Sequence, residues 1–597
     1  MNIVSDKMKL VAENWPVVRD ELKKAAIESI NNGGDRALKI ECKAFSCGFV
    51  SGYLHEPLKK DIGNSEPTVK QNYLEFLKQE LSSVDLTAGV KNEPIEIESA
   101  DKQIQKLPKE WNVIQIGRLS KSYAGYATQE DNSTMEAPIK FTLLRYNLSE
   151  QLGNRALDII LEFKEHGPKS IPSTAFEIQQ QYKLFTFQMA GTSWTNFITN
   201  LTELQTKIIK DMCFWLGPWI VLFSGKCKNV AGISLENQIF DKVDKLVMEL
   251  GRFPNERIAL LKLIARRIDL LEVNTIQEAA SQLAQNSIQL KRIQQFLAQL
   301  KMDTIIAPMD YYPCILIIDE ILEPMPWEML LTKQEFTRFN SIYLLLHLYN
   351  LYKDQIKDGY LRYSVTNGAA ILNPDNDIKL DSMVKRVREF YKKWRPDWRR
   401  IESRKPTNDE LNSMYKDYDV FVYSGHGSGL QMFKSTDEIK LKTKSVLMLM
   451  GCESIKLKFR GLVSEAYGSP YVYFTTECPV LIGANTLITD IWGDTLTFIM
   501  LMQWIPSDYN EVPHIIEISD QPTRKRVEKI LNDAHANRPN PNLLSIISKI
   551  RQYPELSVRM QSAIIYRGLP IYNNLVDENV ETAPAAANSK SKKKTNK

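Results

Sequence analysis

No two of the seven cysteines, at 42, 47, 213, 227, 314, 452 and 478, form a C-x-x-C pair, and their number is odd. Neither a disulfide framework nor a zinc site is indicated, the implied compartment is reducing, and no cofactor is implied. No apolar run approaches the length of a membrane span. The opening MNIVSDKMKLVAENWP has no continuous apolar core of the kind a secretory signal needs. The net charge is only +4, and no basic stripe interleaved with aromatics precedes the tail, which argues against a strong field for nucleic acid.

What is present reads as a globular chain. Hydrophobic residues make up 43% and charged residues 25%, enough to exclude large-scale disorder, and 597 residues imply two to four domains. Residues 1–104 read as a helical packing region, with helices expected over 9–30 and 69–84. A second region, 105–312, opens with strands expected at 111–119 and 139–146. Long helices are then expected at 173–185, 202–223, 237–273 and 276–300, with Pro254 breaking the third. From Cys314 the rhythm changes to strand–helix alternation, which predicts a parallel sheet flanked by helices. Strands are expected at 314–319, 369–373, 420–423, 446–450 and 480–484. Helices are expected at 336–354, 382–394, 409–415, 462–475, 490–504, 523–536 and 542–552. The division that follows is 313–400, 401–576 and a basic tail, 577–597, which reads as disordered by composition.

Two of the expected strands end in chemistry-bearing residues. DVFVYSGHG carries His426 between Gly425 and Gly427, and SVLMLMGC carries Cys452 after Gly451. If the strands are parallel neighbours, imidazole and thiol face each other at the carboxyl edge, where open α/β sheets bind ligands. Such a pair is the minimum equipment of a cysteine nucleophile. A lone buried cysteine or histidine is ordinarily structural, so it is the pairing that carries the reading. Asp419 lies at the far end of the His426 strand and is not assigned to the site. Cys478, before Pro479, reads as core.

The pieces LPKEWNVIQIG, LLRYN, CILIIDEILEPMPWE, AAILNPDND, DVFVYSGHGSG, LMGCES, ECPVLIGA, TDIWGD and AIIYRGLPIY, in this order, resemble the separases, caspase-like cysteine endopeptidases, over about 107–572. The resemblance implies a caspase-like α/β fold at the C-terminal half, with a substrate-binding part at 313–400 and a catalytic domain at 401–576. It implies catalysis by His426 and Cys452, with the backbone amides of Gly427 and Cys452 forming the oxyanion hole. It also implies cleavage of the kleisin subunit of cohesin after Arg at anaphase, and a securin-type inhibitor lying through the cleft. Location would be cytoplasm and nucleus, with the spindle and chromosomes during division.

TDIWGD resembles the family's T-D-x-D-x-D run. Asp494 matches the acid that meets the substrate arginine and Asp490 the first acid, whereas Trp492 replaces the middle one. Thr486-Leu487 stands where the family has Trp-Asp, and Glu453 where it has Ser. The chain is short, like the insect-type form whose helical array is a separate polypeptide, which implies a large helical partner subunit. Trp327 and Glu328 in PMPWEML read as architecture. The runs Glu249 to Arg252 and Glu335 to Arg338 have the family's Glu-x-x-Arg spacing and are also expected by chance. The competing readings are a catalytically silent caspase-like scaffold and another caspase-related peptidase.

Overall fold

The structure is a computed structural model; it describes residues 104–118, 139–145, 157–161, 194–303, 310–319, 322–432, 443–459, 466–474, 476–509, 511–513 and 518–576. The helices expected at 9–30, 69–84 and 173–185, and the tail, lie outside these residues.

An eleven-stranded sheet runs through the described residues in the order β3-β2-β1-β4-β5-β15-β14-β11-β10-β8-β9. Its first half holds β1 (Asn112–Arg118), β2 (Ile139–Arg145), β3 (Leu157–Leu161), β4 (Cys314–Ile318) and β5 (Phe336–Phe339). Between β5 and the second half of the sheet, the chain forms β6 (Ile356–Lys357) and β7 (Tyr360–Tyr363) of a small side sheet. The second half holds β8 (Gly368–Leu372), β9 (Arg399–Glu402), β10 (Val420–Ser424), β11 (Val446–Met450) and β14 (Val480–Ala484). A two-stranded ribbon, β12 (Lys458–Phe459) with β13 (Ala466–Tyr467), follows β11. The last strands are β15 (Ile564–Gly568) and β16 (Ile571–Asn573), the latter in the side sheet. β4, β8, β10, β11, β14 and β15 are buried along their whole length. That is why all of these except β15, which carries Arg567, read as largely apolar runs rather than alternating ones.

The two halves run in opposite directions. β1, β4, β5 and β15 are mutually parallel, as are β14, β11, β10, β8 and β9, and the halves meet where β15 pairs antiparallel with β14. Each half therefore presents its carboxyl edge at a different end of the sheet. Beside β5 and β15, Arg338 and Arg567 are fully buried and share Glu323, while Arg338 also forms a fork with Glu328 at 2.7 Å. Arg338 is thus closed to a protease. Trp327 is buried and donates to the Leu322 carbonyl, so PMPWEML is architectural as expected.

Helices α1 (Trp194–Leu216), α2 (Val230–Leu250), α3 (Asn255–Arg266), α4 (Val273–Leu283) and α5 (Ser287–Asp303) share a core with β1, β2 and β4. The second core takes α6 (Ile342–Tyr352), α7 (Asp381–Trp394), α8 (Asn408–Asp417), α9 (Ser469–Phe474), α10 (Asp490–Trp504), α11 (Gln521–Ala536), α12 (Leu543–Ile550) and α13 (Val558–Gln561). The expected helix 237–273 is two helices: α2 ends at Gly251, in the left-handed region at φ 73°, and Pro254 caps α3. The run 276–300 also divides, between α4 and α5. Residues 336–354, expected as one helix, begin as the buried strand β5; Ser341 then caps α6 by accepting from the Leu344 amide. Within 462–475, the described residues form β13 and α9 rather than one helix.

Candidate active site

β10 and β11 are parallel neighbours in register, Ser424 opposite Met450, so the residues that follow them emerge side by side at one carboxyl edge. Gly451 makes this approach close. A Cβ there would lie 2.1 Å from the Gly427 carbonyl oxygen and 2.6 Å from that of Gly425, so only glycine lets the Cys452 turn seat against the His426 turn. Gly451→Ala is expected to push the two turns apart and to destabilise the fold by about 1–3 kcal/mol, as overpacking does. Melting curves of the variant and the parent would test it.

The His426 turn is pinned by its backbone. The Tyr423 hydroxyl donates to the His426 carbonyl at 2.6 Å, and Gln431 Nε2 donates to the same oxygen at 2.7 Å. Gly427 takes φ 65°, the left-handed region that favours glycine. The His426 side chain is 56% exposed, and its Nε2 lies 3.0 Å from Asp377 Oδ2. Asp377 was not singled out by sequence: LNPDNDI holds two Asp and two Asn, and nothing in spacing distinguishes the one that reaches the ring.

Cys452 is half-buried and its Sγ donates to the Ile488 carbonyl at 3.1 Å. The turn is latched onto β14: the Glu453 amide donates to Thr486 O at 3.0 Å, the Ile455 amide to Ala484 O at 3.2 Å, and Ser454 Oγ accepts from the Ala484 amide at 2.9 Å. Burial pushes the thiol up; the Glu453 carboxylate adds to this and Arg559 opposes it. The sulfur and the imidazole thus lie at one edge, each held by another partner. The amide of Gly427 donates to no acceptor among the described residues.

Asp490 opens α10 and Asp494 follows one turn later on the same face. Asp494 is 3% exposed. Both meet Arg386 of α7: Nε donates to Asp494 at 2.9 Å, and Nη2 reaches Asp494 at 2.8 Å and Asp490 at 2.5 Å. Burial pushes the Asp494 carboxyl up to about 8 against the pull of Arg386. For Arg386 burial works against the charge, but the attraction of Asp494 and the bond to Asp490 outweigh it and hold the guanidinium above its ordinary value. Both nitrogens meet one oxygen, Asp494 Oδ2, at 2.8–2.9 Å, the lengths of charge-assisted bonds. Sequence reasoning did not assign Arg386, one basic residue among several on a charged helix. The structure therefore departs from an open carboxylate at Asp494: it is buried with Oδ2 taken up by Arg386, and Asp490, with its side chain 34% exposed, is the acid facing outward.

Asp419 is at the amino end of β10, held by Thr366, Asn367 and Lys444, away from the edge that carries His426. Cys478 is fully buried.

A family profile described as "Separin, protease domain" matches residues 200–490, a span holding His426, Cys452 and Asp490. Separin of Schizosaccharomyces pombe is 31% identical over 195 residues, 32% of this chain and 10% of the relative. Separin of Mus musculus is 25% identical over 337 residues, 55% of this chain and 14% of the relative. The chain thus spans about a tenth of the length of the curated relatives it matches. In fold it is similar to the Saccharomyces cerevisiae separase in a separase–securin complex, with a TM-score of 0.57 and 15% identity over 95% of this chain and 41% of that one. By these matches the chain is similar to the separins over their protease domain, and its mixed α/β fold is similar to that of a separase.

Proposed function

We propose that the chain is a separase-type cysteine endopeptidase, and the observation that carries this is the seating of the Cys452 turn against the His426 turn through Gly451. In the proposed reaction the Cys452 proton passes to the imidazole and sulfur attacks the substrate carbonyl. The amides of Gly427 and Cys452, the first of which has no acceptor of its own among the described residues, suit the developing oxyanion. The imidazolium then protonates the departing amine as the carbon–nitrogen bond breaks. Water, giving a proton back through His426, cleaves the thioester, releases the acid and restores the thiol. Because the sulfur donates to the Ile488 carbonyl in this structure, a small rearrangement of the Cys452 side chain precedes attack.

The proposed substrate is the kleisin subunit of cohesin, cut after Arg. In the Asp490–Asp494–Arg386 cluster Asp494 is buried and Asp490 is the acid that reaches solvent. That placement suits the substrate's guanidinium, with Asp490 as the acid that meets it and Asp494 as the buried anchor of Arg386. A cavity of about 710 Å³ adjoins the site, lined by Thr489 and Trp492 and by the cations Lys207, Lys210, Arg526 and Arg559 against one acid, Glu203. Its positive excess suits acidic residues elsewhere in the same substrate. A securin-type inhibitor in the cleft, a large helical companion subunit and a place in cytoplasm and nucleus belong to the same proposal. The test is incubation of the purified chain, alone and with securin, with a kleisin fragment. A single cut after Arg, blocked by securin, is expected. Cleavage unaffected by mutating that arginine would overturn the reading.

A further inference from the structure

The loop after β8 is built around one carboxylate. Asn373 is fully buried, takes φ 49°, and its amide donates to the Ser424 carbonyl at the end of β10, at 2.8 Å. Its side chain then grips Asp377 twice: Oδ1 accepts from the Asp377 amide at 3.0 Å and Nδ2 donates to the Asp377 carbonyl at 2.9 Å. Asn376, also left-handed at φ 54°, closes the turn onto Asn373 O. Two non-glycine residues in that region within four positions is a strained turn of the kind found at functional sites. It leaves Asp377 with both oxygens committed: Oδ1 accepts from the Lys379 amide at 2.9 Å and Oδ2 lies 3.0 Å from His426 Nε2.

The chemistry of the pair follows from what each atom can do. The Lys379 amide and the His426 ring hold the Asp377 carboxyl below its ordinary value, so it is a carboxylate and can only accept. Nε2 must therefore carry the hydrogen. In the neutral ring that leaves Nδ1 as the one nitrogen with a lone pair. The His426 backbone is already fixed by Tyr423 and Gln431, so the remaining freedom is rotation of the ring, and Asp377 restrains it. With side chains 56% and 33% exposed, the pair contributes little to stability, so the elaborate turn behind Asp377 serves orientation.

We propose that Asp377 is a positioning residue for the imidazole: its carboxylate, fixed by Asn373, holds His426 as the Nε2–H tautomer and leaves Nδ1 to exchange protons with the Cys452 thiol and the leaving amine. This rests on the peptidase reading for its consequence, but its structural content can be read without turnover. Two-bond hydrogen–nitrogen spectra of the full chain labelled at its six histidines, with His426→Ala to assign the signal, report the tautomer directly. The parent is expected to show Nε2–H at His426, and Asp377→Ala a mixture with Nδ1–H. On a peptide ending in Arg, Asp377→Ala is expected to lower kcat about a hundredfold with KM unchanged, the loss expected of a misoriented proton carrier. Asp377→Asn, which keeps a neutral acceptor, is expected to lose less. A parent in the Nδ1–H form, or an Asp377→Ala protein with unchanged tautomer, overturns the assignment; so does unchanged kcat in an active enzyme. A parent with the Nε2–H form that cleaves no peptide overturns the peptidase reading instead.

Discussion

Replacing Cys452 by serine, or His426 by alanine, is expected to abolish peptide hydrolysis while changing folding stability by less than about 1 kcal/mol. Serine keeps the size of the side chain and a hydrogen for the Ile488 carbonyl, but a hydroxyl is a far poorer nucleophile than a thiolate at neutral pH. His426 is 56% exposed, so truncating it opens no cavity. Its loss removes the imidazole beside Cys452 at this edge, and with it the proposed proton carrier for both attack and departure. Matched melting curves and hydrolysis rates on one arginyl peptide decide the matter. Wild-type turnover by Cys452→Ser would exclude Cys452 as the nucleophile and return the fold to the status of a scaffold.

The second large effect separates the two acids of α10. Asp494→Ala strips a buried guanidinium of its buried partner, and stability is expected to fall by about 3 kcal/mol, the low end for breaking a buried pair because Asp490 still holds Nη2. Asp490→Ala leaves the Asp494 contact intact. It is expected to cost little in stability but to remove the outward-facing charge, worth about 1.5–3 kcal/mol in a charge-assisted bond to the substrate. Cleavage after Arg would then fall by roughly one to two orders of magnitude relative to cleavage after Leu. Peptides differing only at the residue before the cut, assayed beside a thermal melt, resolve the two. If Asp490→Ala keeps its preference for Arg while a folded Asp494→Ala protein loses it, Asp494 is the recognising acid after all and Arg386 must move aside when substrate binds.

The places of His426, Cys452 and the two acids in the fold were legible because each stands at the end of a buried strand or the start of a helix, where apolar runs bounded by glycine or a helix start are unambiguous. β10, β11 and β14 fall within a residue of their expected limits for that reason. β5 was not, because Phe336–Phe339 continues into the apolar helix Ile342–Tyr352 and a buried strand has no period of its own to set it apart. β15 drew no assignment, since Arg567 within it reads as polar, and only the fold supplies its buried partners Glu323 and Asn340. Asp377 and Arg386 were hidden for a shared reason. Each acts across strands or helices, on a residue 49 or 104 and 108 positions away, and local spacing does not encode such distances.

The place of β15 bears on how the molecule comes together in time. It is the strand that joins the two halves of the sheet, with Arg567 opposite Arg338 on one side and Val480–Ala484 on the other. During synthesis, both halves leave the ribosome well before the segment that closes the seam, so each waits with an unpaired edge and an exposed row of amides and carbonyls. Closure then requires a loop of over two hundred residues, which makes it a late and slow step of high contact order. A nascent chain halted before Ile564 would hold its two sheet halves unjoined, a state in which chaperones, or an assembly partner that covers the edge, would find their substrate.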